Sequence, residues 1–257
     1  MKVSIVTAAW NAEASIADTI DSLAKQDYPR DQIEWIVVDG ASTDRTLSLI
    51  NKAAFRPDRI LSEPDNGIYD ALNKGIAMAT GNVVGILHAD DFLASPSVLS
   101  HIAGTFLDSG VEAVCGNLQY VRRRGDGTFE VVRHWNSGAY HRRKLKWGWM
   151  PPHPTLYLRR EVYERAKLAP GVFFDTSYRC AADYDFMLRL LSQFGVEPVY
   201  LQTVLVKMRL GGVSNRSLPN IIQKSREDWQ VIRRNQVGGI HTLIWKNLGK
   251  LRQFIAR

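Results

Sequence analysis

The sequence predicts an α/β protein with a Rossmann-like, mostly parallel sheet flanked by helices, followed by a helical C-terminal extension. One observation is a set of short, β-branched apolar runs such as 33–38 and 83–87, typical of strands buried on both faces of a parallel sheet. The other is that apolar residues between these runs, such as Ile16, Ile20 and Leu23, recur at helical spacing. Strands and helices that alternate at these lengths favour a doubly wound sheet.

The first half of the chain carries this alternation throughout. Valine and isoleucine runs mark the strands, and apolar residues at a period of 3.6 mark the helices. The predicted strands are 2–7, 33–38, 59–61, 83–87 and 113–115. The predicted helices are 14–24, a stretch that begins after Asp44 and runs to Ala54, 69–80 and 97–109.

The second half is less regular. Residues 118–133 alternate around Gly125-Asp126-Gly127, which predicts a β-hairpin, and the MPPHP segment at 150–154 is stiff and non-helical. The other predicted elements are strands 155–158 and 199–206, helices 160–167, 182–191, 219–236 and 240–257, and a loop at 211–215.

Length and composition predict a single large domain, or one domain with an appendage, because 257 residues at 45% hydrophobic content can bury a full core. No run of about 18 apolar residues occurs and the N-terminus lacks a signal-peptide pattern, so we expect a cytoplasmic or peripheral protein. Cys115 and Cys180 lack metal-ligand spacing and are predicted to be reduced thiols.

Charge is distributed unevenly along the chain. Residues 1–117 carry 8 Lys/Arg and 16 Asp/Glu (net −8), residues 118–215 carry 16 and 8 (net +8), and residues 216–257 carry 9 and 2 (net +7). A basic rear half indicates an anionic partner such as phosphates or lipid headgroups. Nucleic acid is disfavoured, since zinc-finger, RNP and helix-turn-helix patterns are missing.

Residues 240–257 are predicted to form a basic amphipathic helix, because their apolar residues recur at helical spacing and Lys and Arg occupy the other positions. Such a helix suits a membrane interface, where cationic side chains attract anionic headgroups. The alternative is a helix that packs on the main domain or on the partner in a homodimer.

Two adjacent acidic residues, Asp90 and Asp91, follow the predicted strand at 83–87. The carboxyl ends of strands are where open α/β sheets bind ligands, and hard carboxylate oxygens suit Mg²⁺ or Mn²⁺. The alternative is a solvated turn in which one aspartate caps the next helix. No G-x-G-x-x-G follows the first strand, which disfavours a dinucleotide-dependent oxidoreductase.

An ordered series of motifs resembles the family 2 glycosyltransferases, inverting enzymes with the GT-A fold that use nucleotide sugars. The motifs are SIVTAAWN at 4–11, QDYP at 26–29, WIVVDGASTDRT at 35–46, EPDNGIYDALNKG at 63–75, ATGNVVGILHADD at 79–91, and ADY with DFMLRL at 182–190. With MPPHPTLYLRREVYE at 150–164, the chain looks most similar to the bacterial colanic-acid and O-antigen type. The resemblance implies a GT-A domain at 1–215, with a nucleotide-sugar half at 1–117 and an acceptor half at 118–215, and an extension at 216–257.

The resemblance also implies the donor site. Asp91 would bind the metal and Asp39 the base, most often uracil, whose imide N–H a carboxylate can accept. The residues implied to bind the rest of the donor are Thr7, Asn11, Glu13, Asp65, Asn73 and Asp90. The alternatives are a helix-approach role for Asp39 and an N-cap and an exposed helix face for Asp65 and Asn73.

For catalysis, the resemblance implies that Asp183 is the base, although Ala182 stands where the family has Glu. Asp185 is the second candidate, on a different side of the same helix, and both could instead only stabilise the helix N-terminus. Arg189 is predicted to be a structural ion-pair partner. His153 and Arg209, with the loop that follows Arg209, are implied on the acceptor or diphosphate side.

The predicted function is therefore inverting transfer of a sugar from a nucleoside-diphosphate donor, most often UDP-linked, to a glycan or lipid-linked saccharide in cell-surface polysaccharide biosynthesis. The expected location is the cytoplasm or the inner face of the membrane. The alternatives are a nucleotidyltransferase, for which the first loop lacks the expected Gly-rich sequence, and a binding module without catalysis, since His88 and Ala182 depart from the family pattern.

Overall fold

The computed structural model of the chain describes residues 1–210 and 218–255 and confirms the α/β class. The strands are β1 (Val3–Ala9), β2 (Ile33–Asp39), β3 (Arg59–Ser62), β4 (Val83–Ile86), β5 (Asp91–Leu93), β6 (Ala113–Arg123), β7 (Phe129–Trp135), β8 (Tyr157–Arg159) and β9 (Val199–Arg209). The helices are α1 (Ile16–Ala24), α2 (Thr46–Lys52), α3 (Ile68–Met78), α4 (Val98–Thr105), α5 (Arg142–Leu145), α6 (Arg160–Ala166), α7 (Ala182–Leu188), α8 (Leu218–Arg234) and α9 (Ile240–Ile255).

The strands of the described residues join into one sheet in the order β3-β2-β1-β4-β8-β6-β9-β5, with β7 beside β6. The first four strands in this order are parallel, as the sequence predicts. From β8 onward the sheet is mixed, because β8 is antiparallel to both β4 and β6, and β5 is antiparallel to β9.

Helices cover both faces of the parallel part. Side chains of β1 and β2 alternate between two apolar clusters, so that Val6 and Ile36 meet α3, α6 and α7, whereas Ile5 and Trp35 meet α1 and α4. Gly75 lets α3 approach β1 closely, since a Cβ there would lie 2.3 Å from a methyl of Val6. The doubly wound arrangement is confirmed.

Two features of the fold differ from the predictions. The strand predicted at 113–115 continues to Arg123 as β6 and pairs with β7 around the predicted turn, which confirms the hairpin. Asp91 begins the short strand β5, whose partner is β9, and the N-cap of α4 is Ser97. The reading of an aspartate here as a helix cap is therefore wrong.

The last two helices, α8 and α9, pack on each other, and α8 also contacts α7 while α9 contacts β7. Lys246 of α9 reaches inward to Asp228 of α8 over 2.5 Å, and both side chains are buried. Thr242 donates a hydrogen bond to the carbonyl of Lys146, which ties α9 to the segment after α5. Within the described residues, none of the helices is long and apolar enough to cross a membrane.

Candidate functional site

The carboxyl ends of β1, β2 and β4 lie side by side at one edge of the sheet. Ala9 is level with Asp39, and Val6 is level with Ile86. The loops that leave these strands therefore meet at the same place, as open α/β sheets arrange their ligand sites.

The loops after β1 and β2 are fastened together by polar contacts. The Oδ1 of Asn11, at a φ of 47°, accepts the backbone N–H of Thr43 at 2.9 Å. The Oε2 of Glu13 accepts the backbone N–H and the guanidinium Nε of Arg45, each at 3.1 Å. Asn11 and Glu13 thus shape the wall of the site beside Asp39.

Asp39 is buried at the end of β2 and already accepts three hydrogen bonds. Its donors are the N–H of Ser42 at 3.0 Å, the hydroxyl of Ser42 at 2.5 Å and the hydroxyl of Ser62 at 2.8 Å. A carboxylate has about four acceptor positions, so one remains for a ligand donor. Asp65 lies close by, since a Cβ on Gly40 would be 2.6 Å from its Oδ2, and its Oδ1 accepts the N–H of Gly67.

The side chains of Thr7 and Asn73 are occupied inside the protein. The Oγ1 of Thr7 accepts the indole N–H of Trp35 at 3.0 Å, and Thr7 is fully buried. Asn73 accepts the backbone N–H groups of Phe173 and Phe174 and donates to the carbonyl of Phe174 at 2.9 Å. The structure therefore does not bring these two side chains to the ligand edge.

Asp91 is the least satisfied carboxylate of the site. It is fully buried, and both of its oxygens lack a hydrogen-bond partner. Burial raises the pKa of Asp91 well above its usual range, and the negative charge of Asp90 raises it further. The nearby backbone N–H of Arg209, which does not reach hydrogen-bond geometry with either oxygen, offsets only part of the rise. Asp90 itself is exposed.

A divalent cation fits this carboxylate, since it would supply the missing partner of the buried oxygens. Among the described residues, three or more His, Cys, Asp or Glu side chains nowhere converge with the geometry of a complete metal site. That agrees with Mg²⁺ or Mn²⁺ sites, in which one or two carboxylates and the substrate's phosphates share the ion.

A second cluster joins α3, α7 and the segment around His153. The hydroxyl of Tyr69 lies 3.1 Å from the Oδ1 of Asp183, which is half-buried. The rings of His88 and His153 have centroids 6.1 Å apart, and the Nδ1 of His88 is buried without a partner. His88, Asp90, His153 and Asp183 are close enough to influence one another electrostatically.

The histidines of this cluster are held neutral. Burial lowers the pKa of His153 to about 4; the charge of Asp183 opposes this shift and His88 reinforces it. Burial also lowers the pKa of His88, against the charges of Asp90 and Asp183. At neutral pH each ring therefore offers one donor and one acceptor nitrogen.

Asp185 points to the opposite side of α7 from Asp183. It is fully buried, accepts the Nε of Arg189 at 2.9 Å and accepts the amide of Asn235 at 3.0 Å. Arg189 also donates to the backbone carbonyls of Ala166 and Phe173. The prediction that Arg189 is a structural ion-pair partner is confirmed.

Arg209 ends β9, beside β5, and its backbone N–H lies near the Asp91 carboxylate. Its guanidinium pairs with Asp18 and lies over the ring of Phe129 at 5.0 Å. The predicted loop at 211–215 lies outside the described residues. Two tryptophans of this half differ in their surroundings. The Nε1 of Trp149 donates to the carbonyl of Ser137, whereas Trp147 is 59% exposed.

Sequence reasoning missed Tyr69 and the serines that fix Asp39. Tyr69 stands within the DNGIYDALNKG motif, which marked its helix but not its partner. Ser42 and Ser62 follow β2 and end β3, and only the parallel pairing of these strands brings both hydroxyls to one carboxylate.

Three comparisons bear on the chain. The model of the family described as glycosyl transferase family 2 matches residues 4–167. A PGL/p-HBAD biosynthesis glycosyltransferase of Mycobacterium bovis (strain BCG / Pasteur 1173P2) is 30% identical over 218 residues, covering 82% of this chain and 78% of the relative.

Solved structures share the architecture. S. aureus TarS in complex with UDP-GlcNAc superposes with a TM-score of 0.67 at 18% identity, covering 91% of this chain and 65% of that one. A mannosyltransferase from Pyrobaculum calidifontis in complex with GDP-Man and Mn²⁺ gives 0.64 at 23% identity, covering 93% and 65%. The chain thus spans just under two thirds of these solved chains, and the likeness concerns the fold.

Proposed function

Because the chain belongs to glycosyl transferase family 2 and has the GT-A fold, we propose that it transfers one sugar, with inversion, from a nucleoside-diphosphate sugar to an acceptor hydroxyl. The observation that carries the proposal is that two carboxylates are found around the segment after β4, where His88 lies within electrostatic reach of both Asp90 and Asp183. The two carboxylates are those of Asp91, buried and unpartnered, and of Asp183, held by Tyr69. Nucleotide sugars occupy two solved neighbours, UDP-GlcNAc in one and GDP-Man in the other.

The donor site is proposed at the loops after β1, β2 and β3. Asp39 accepts the imide N–H of uracil through its remaining acceptor position, so we propose a UDP-linked donor. Asp65 and Asp90 contact the ribose or phosphates, while Asn11 and Glu13 hold the wall. Thr7 and Asn73 support this site through the core, since their polar atoms are occupied there.

Asp91, with Asp90 beside it, would hold Mn²⁺ or Mg²⁺. When bound, such a cation neutralises the charge that develops on the leaving diphosphate. The raised pKa of Asp91 is consistent with this role, because a buried carboxylate without a counter-charge ionises with difficulty.

Asp183 is proposed as the general base. The acceptor O–H proton passes to the Asp183 carboxylate as the acceptor oxygen bonds to the anomeric carbon and the bond from that carbon to the diphosphate oxygen breaks on the opposite face. Tyr69 keeps the carboxylate oriented by donating to one of its oxygens. The neutral ring of His153, packed edge-on against Phe174 at 5.6 Å, forms the wall on the acceptor side, with Arg209 further along the sheet.

The acceptor is proposed to be a glycan or lipid-linked saccharide in cell-surface polysaccharide biosynthesis of the colanic-acid and O-antigen type. Such an acceptor places the enzyme in the cytoplasm, at the inner face of the membrane. The basic charge of residues 118–257 supports an anionic acceptor carrier, since it totals net +15 from +8 and +7.

Thermal unfolding with a panel of nucleoside diphosphates and their sugars, with and without Mn²⁺, tests the proposal. We expect stabilisation by UDP or a UDP-sugar that requires Mn²⁺ and is lost in Asp91→Ala. Failure of every nucleotide to stabilise the protein would overturn the proposal. Donor binding without turnover, and without an effect of Asp183→Asn on donor hydrolysis, would instead indicate a binding module.

A further inference from the structure

Helix α9 carries most of its described apolar residues on the outside, and Leu243 is the exception that packs against the core. Ile240, Ile244 and Leu248, spaced one helical turn apart, are 66%, 50% and 44% exposed. The side that faces the protein contains Thr242 and Lys246, which are both buried. A helix that only packs on its own domain would show the reverse pattern, with the isoleucines inside and the lysine in solvent.

The exposed stripe continues onto the segment after α5. The ring of Trp147 lies edge-on to Trp245 at 6.0 Å and to His241 at 5.8 Å, on the outer side of α9. Gly148 fits against the backbone of Lys246 so closely that a Cβ would lie 2.6 Å from its nitrogen. The two segments, more than 90 positions apart in the sequence, therefore present one continuous surface.

This surface is cationic as well as apolar. Arg142, Arg143, Lys144 and Lys146 are exposed beside Trp147. By sequence, segments 136–150 and 237–257 contain neither Asp nor Glu. Exposed aliphatic side chains and an interfacial tryptophan, surrounded by Arg and Lys, are the features with which peripheral proteins enter an anionic bilayer surface.

We propose that α9 and residues 142–147, here called the terminal surface, dock on an anionic lipid bilayer. The isoleucines, Leu248 and Trp147 enter the interface, and the basic residues of α5 contact the headgroups. The inference deepens the proposed function, and rests on it only for the statement that the acceptor is lipid-linked.

The position of the terminal surface relative to α7 explains why docking would serve transfer. On the inner side of α9, the ammonium of Lys246 lies 3.4 Å from the centroid of the Tyr184 ring, and Tyr184 directly follows Asp183. The outer side of α9 is therefore separated from the start of α7 by the thickness of one helix, about 10 Å, and by the side chains of Lys246 and Tyr184. A hydroxyl on a lipid-linked saccharide could then reach Asp183 without leaving the membrane.

The test is sedimentation of the full chain with vesicles of phosphatidylcholine, with and without phosphatidylglycerol. We expect binding only to the vesicles with phosphatidylglycerol, weakened by added salt. Ile244→Asp, and separately Arg142→Glu with Arg143→Glu, should each reduce the partition coefficient by about tenfold or more. The matched control is Leu107→Asp, which places the same charge at a leucine that is 79% exposed after α4 and should bind as the parent does.

Equal sedimentation of the parent and the terminal-surface variants, or none by the parent, would overturn the proposal. A dimer that Ile244→Asp converts to a monomer, without vesicle binding by either, would also overturn it and assign the surface to a second copy of the chain. Nucleotide stabilisation of each variant reports the donor site separately. A parent protein that no nucleotide stabilises would overturn the proposed function, and its binding to vesicles would still be interpretable.

Discussion

The hydroxyl of Tyr69 lies 3.1 Å from the Oδ1 of Asp183, a residue 114 positions later in the chain. Tyr69 is in the first turn of α3 and Asp183 in the first turn of α7, so this contact joins the acidic front half to the basic rear half. Burial raises the pKa of Tyr69 well above its usual range, and the charge of Asp183 raises it further. The phenol therefore remains a donor, and the carboxylate keeps a fixed orientation.

The first prediction concerns Asp183→Asn. It should lower kcat by about a hundredfold to ten-thousandfold, because an amide cannot accept the acceptor proton, and leave donor affinity unchanged. Steady-state kinetics with a donor-binding titration measures both. Asp185→Asn is the matched comparison: it breaks the buried pair with Arg189 and should destabilise the fold by about 3 kcal/mol. A stable Asp185→Asn protein with normal donor affinity and no turnover would reverse the assignment of the base.

The second prediction concerns Asp91→Asn. Since burial makes Asp91 harder to ionise in the folded protein than in the unfolded chain, its charge costs stability at neutral pH until a cation binds. Without metal the variant should therefore be more stable by about 1–3 kcal/mol and unfold at a higher temperature, and it should lose the Mn²⁺ response. Differential scanning calorimetry with and without Mn²⁺ measures this. Asp90→Asn, at an exposed position, should stabilise the metal-free protein less than Asp91→Asn does, because it removes only the repulsion that Asp90 exerts on Asp91. A destabilised Asp91→Asn protein would contradict the explanation.

The third prediction tests whether Asn73 stabilises the fold or contacts the donor. Asn73→Ala leaves the buried N–H groups of Phe173 and Phe174 unpaired, at about 1–3 kcal/mol each, so unfolding in urea should occur at markedly lower concentration. The dissociation constant for the donor should remain near that of the parent. A large rise in that constant with little loss of stability would restore the prediction that Asn73 binds the donor.

The fourth prediction concerns stability in acid and the side chain of Glu34, which lies at the opposite edge of the sheet from the candidate site. Burial raises the pKa of Glu34, but hydrogen bonds from Ser4 and Thr80 and the charge of Lys2 outweigh it and lower the pKa from 4.5 to about 2. The stabilisation is present above about pH 4.5 and is lost as the pH falls towards 2. Glu34→Gln should cost about 2 kcal/mol at pH 7 and flatten the dependence of unfolding free energy on pH in that window. Parallel curves for the two proteins would contradict this.

The fifth prediction concerns the buried pair of Lys246 and Asp228. Lys246→Met leaves Asp228 buried without its partner and should destabilise the protein by about 3–5 kcal/mol. The double variant Lys246→Met with Asp228→Leu should recover most of this loss, because both charges are then removed. Urea unfolding of the four proteins in this cycle measures the coupling. A double variant no more stable than Lys246→Met would show that the loss of stability does not come from the unpaired charge of Asp228.

The parts of the fold that local pattern determines could be predicted from the sequence. The β-branched runs predict the strands β1, β2 and β4, and the residues that follow parallel strands meet at one edge of the sheet. Asp39 and Asp91 could therefore be predicted to lie at that edge without a structure. Tyr69 could not, because its partner belongs to a distant segment. For the same reason β5 was missed: three residues form a strand there only because β9 pairs with them.

The burial of α9 shows a different limit. Its apolar stripe was visible in the sequence, and so was its basic character. Periodicity identifies an apolar face but does not say whether protein or another phase covers it. Here the buried side chain of Lys246 shows which face of α9 meets the protein. A sequence pattern does not predict this, because lysine is almost never fully buried.

The pairing of β5 with β9 has a consequence for the order in which the protein forms as it is made. Asp91 pairs with Met208 and Leu93 with Val206, so the strand that carries the candidate metal ligand is completed by residues synthesised more than 100 positions later. A nascent chain that has just exposed its first 117 residues can build the parallel strands, but its metal-binding carboxylate has no strand to lie against. Contacts this distant along the sequence slow folding. The strand that carries the candidate metal ligand therefore completes its pairing late, after α7 with the proposed base has also been made.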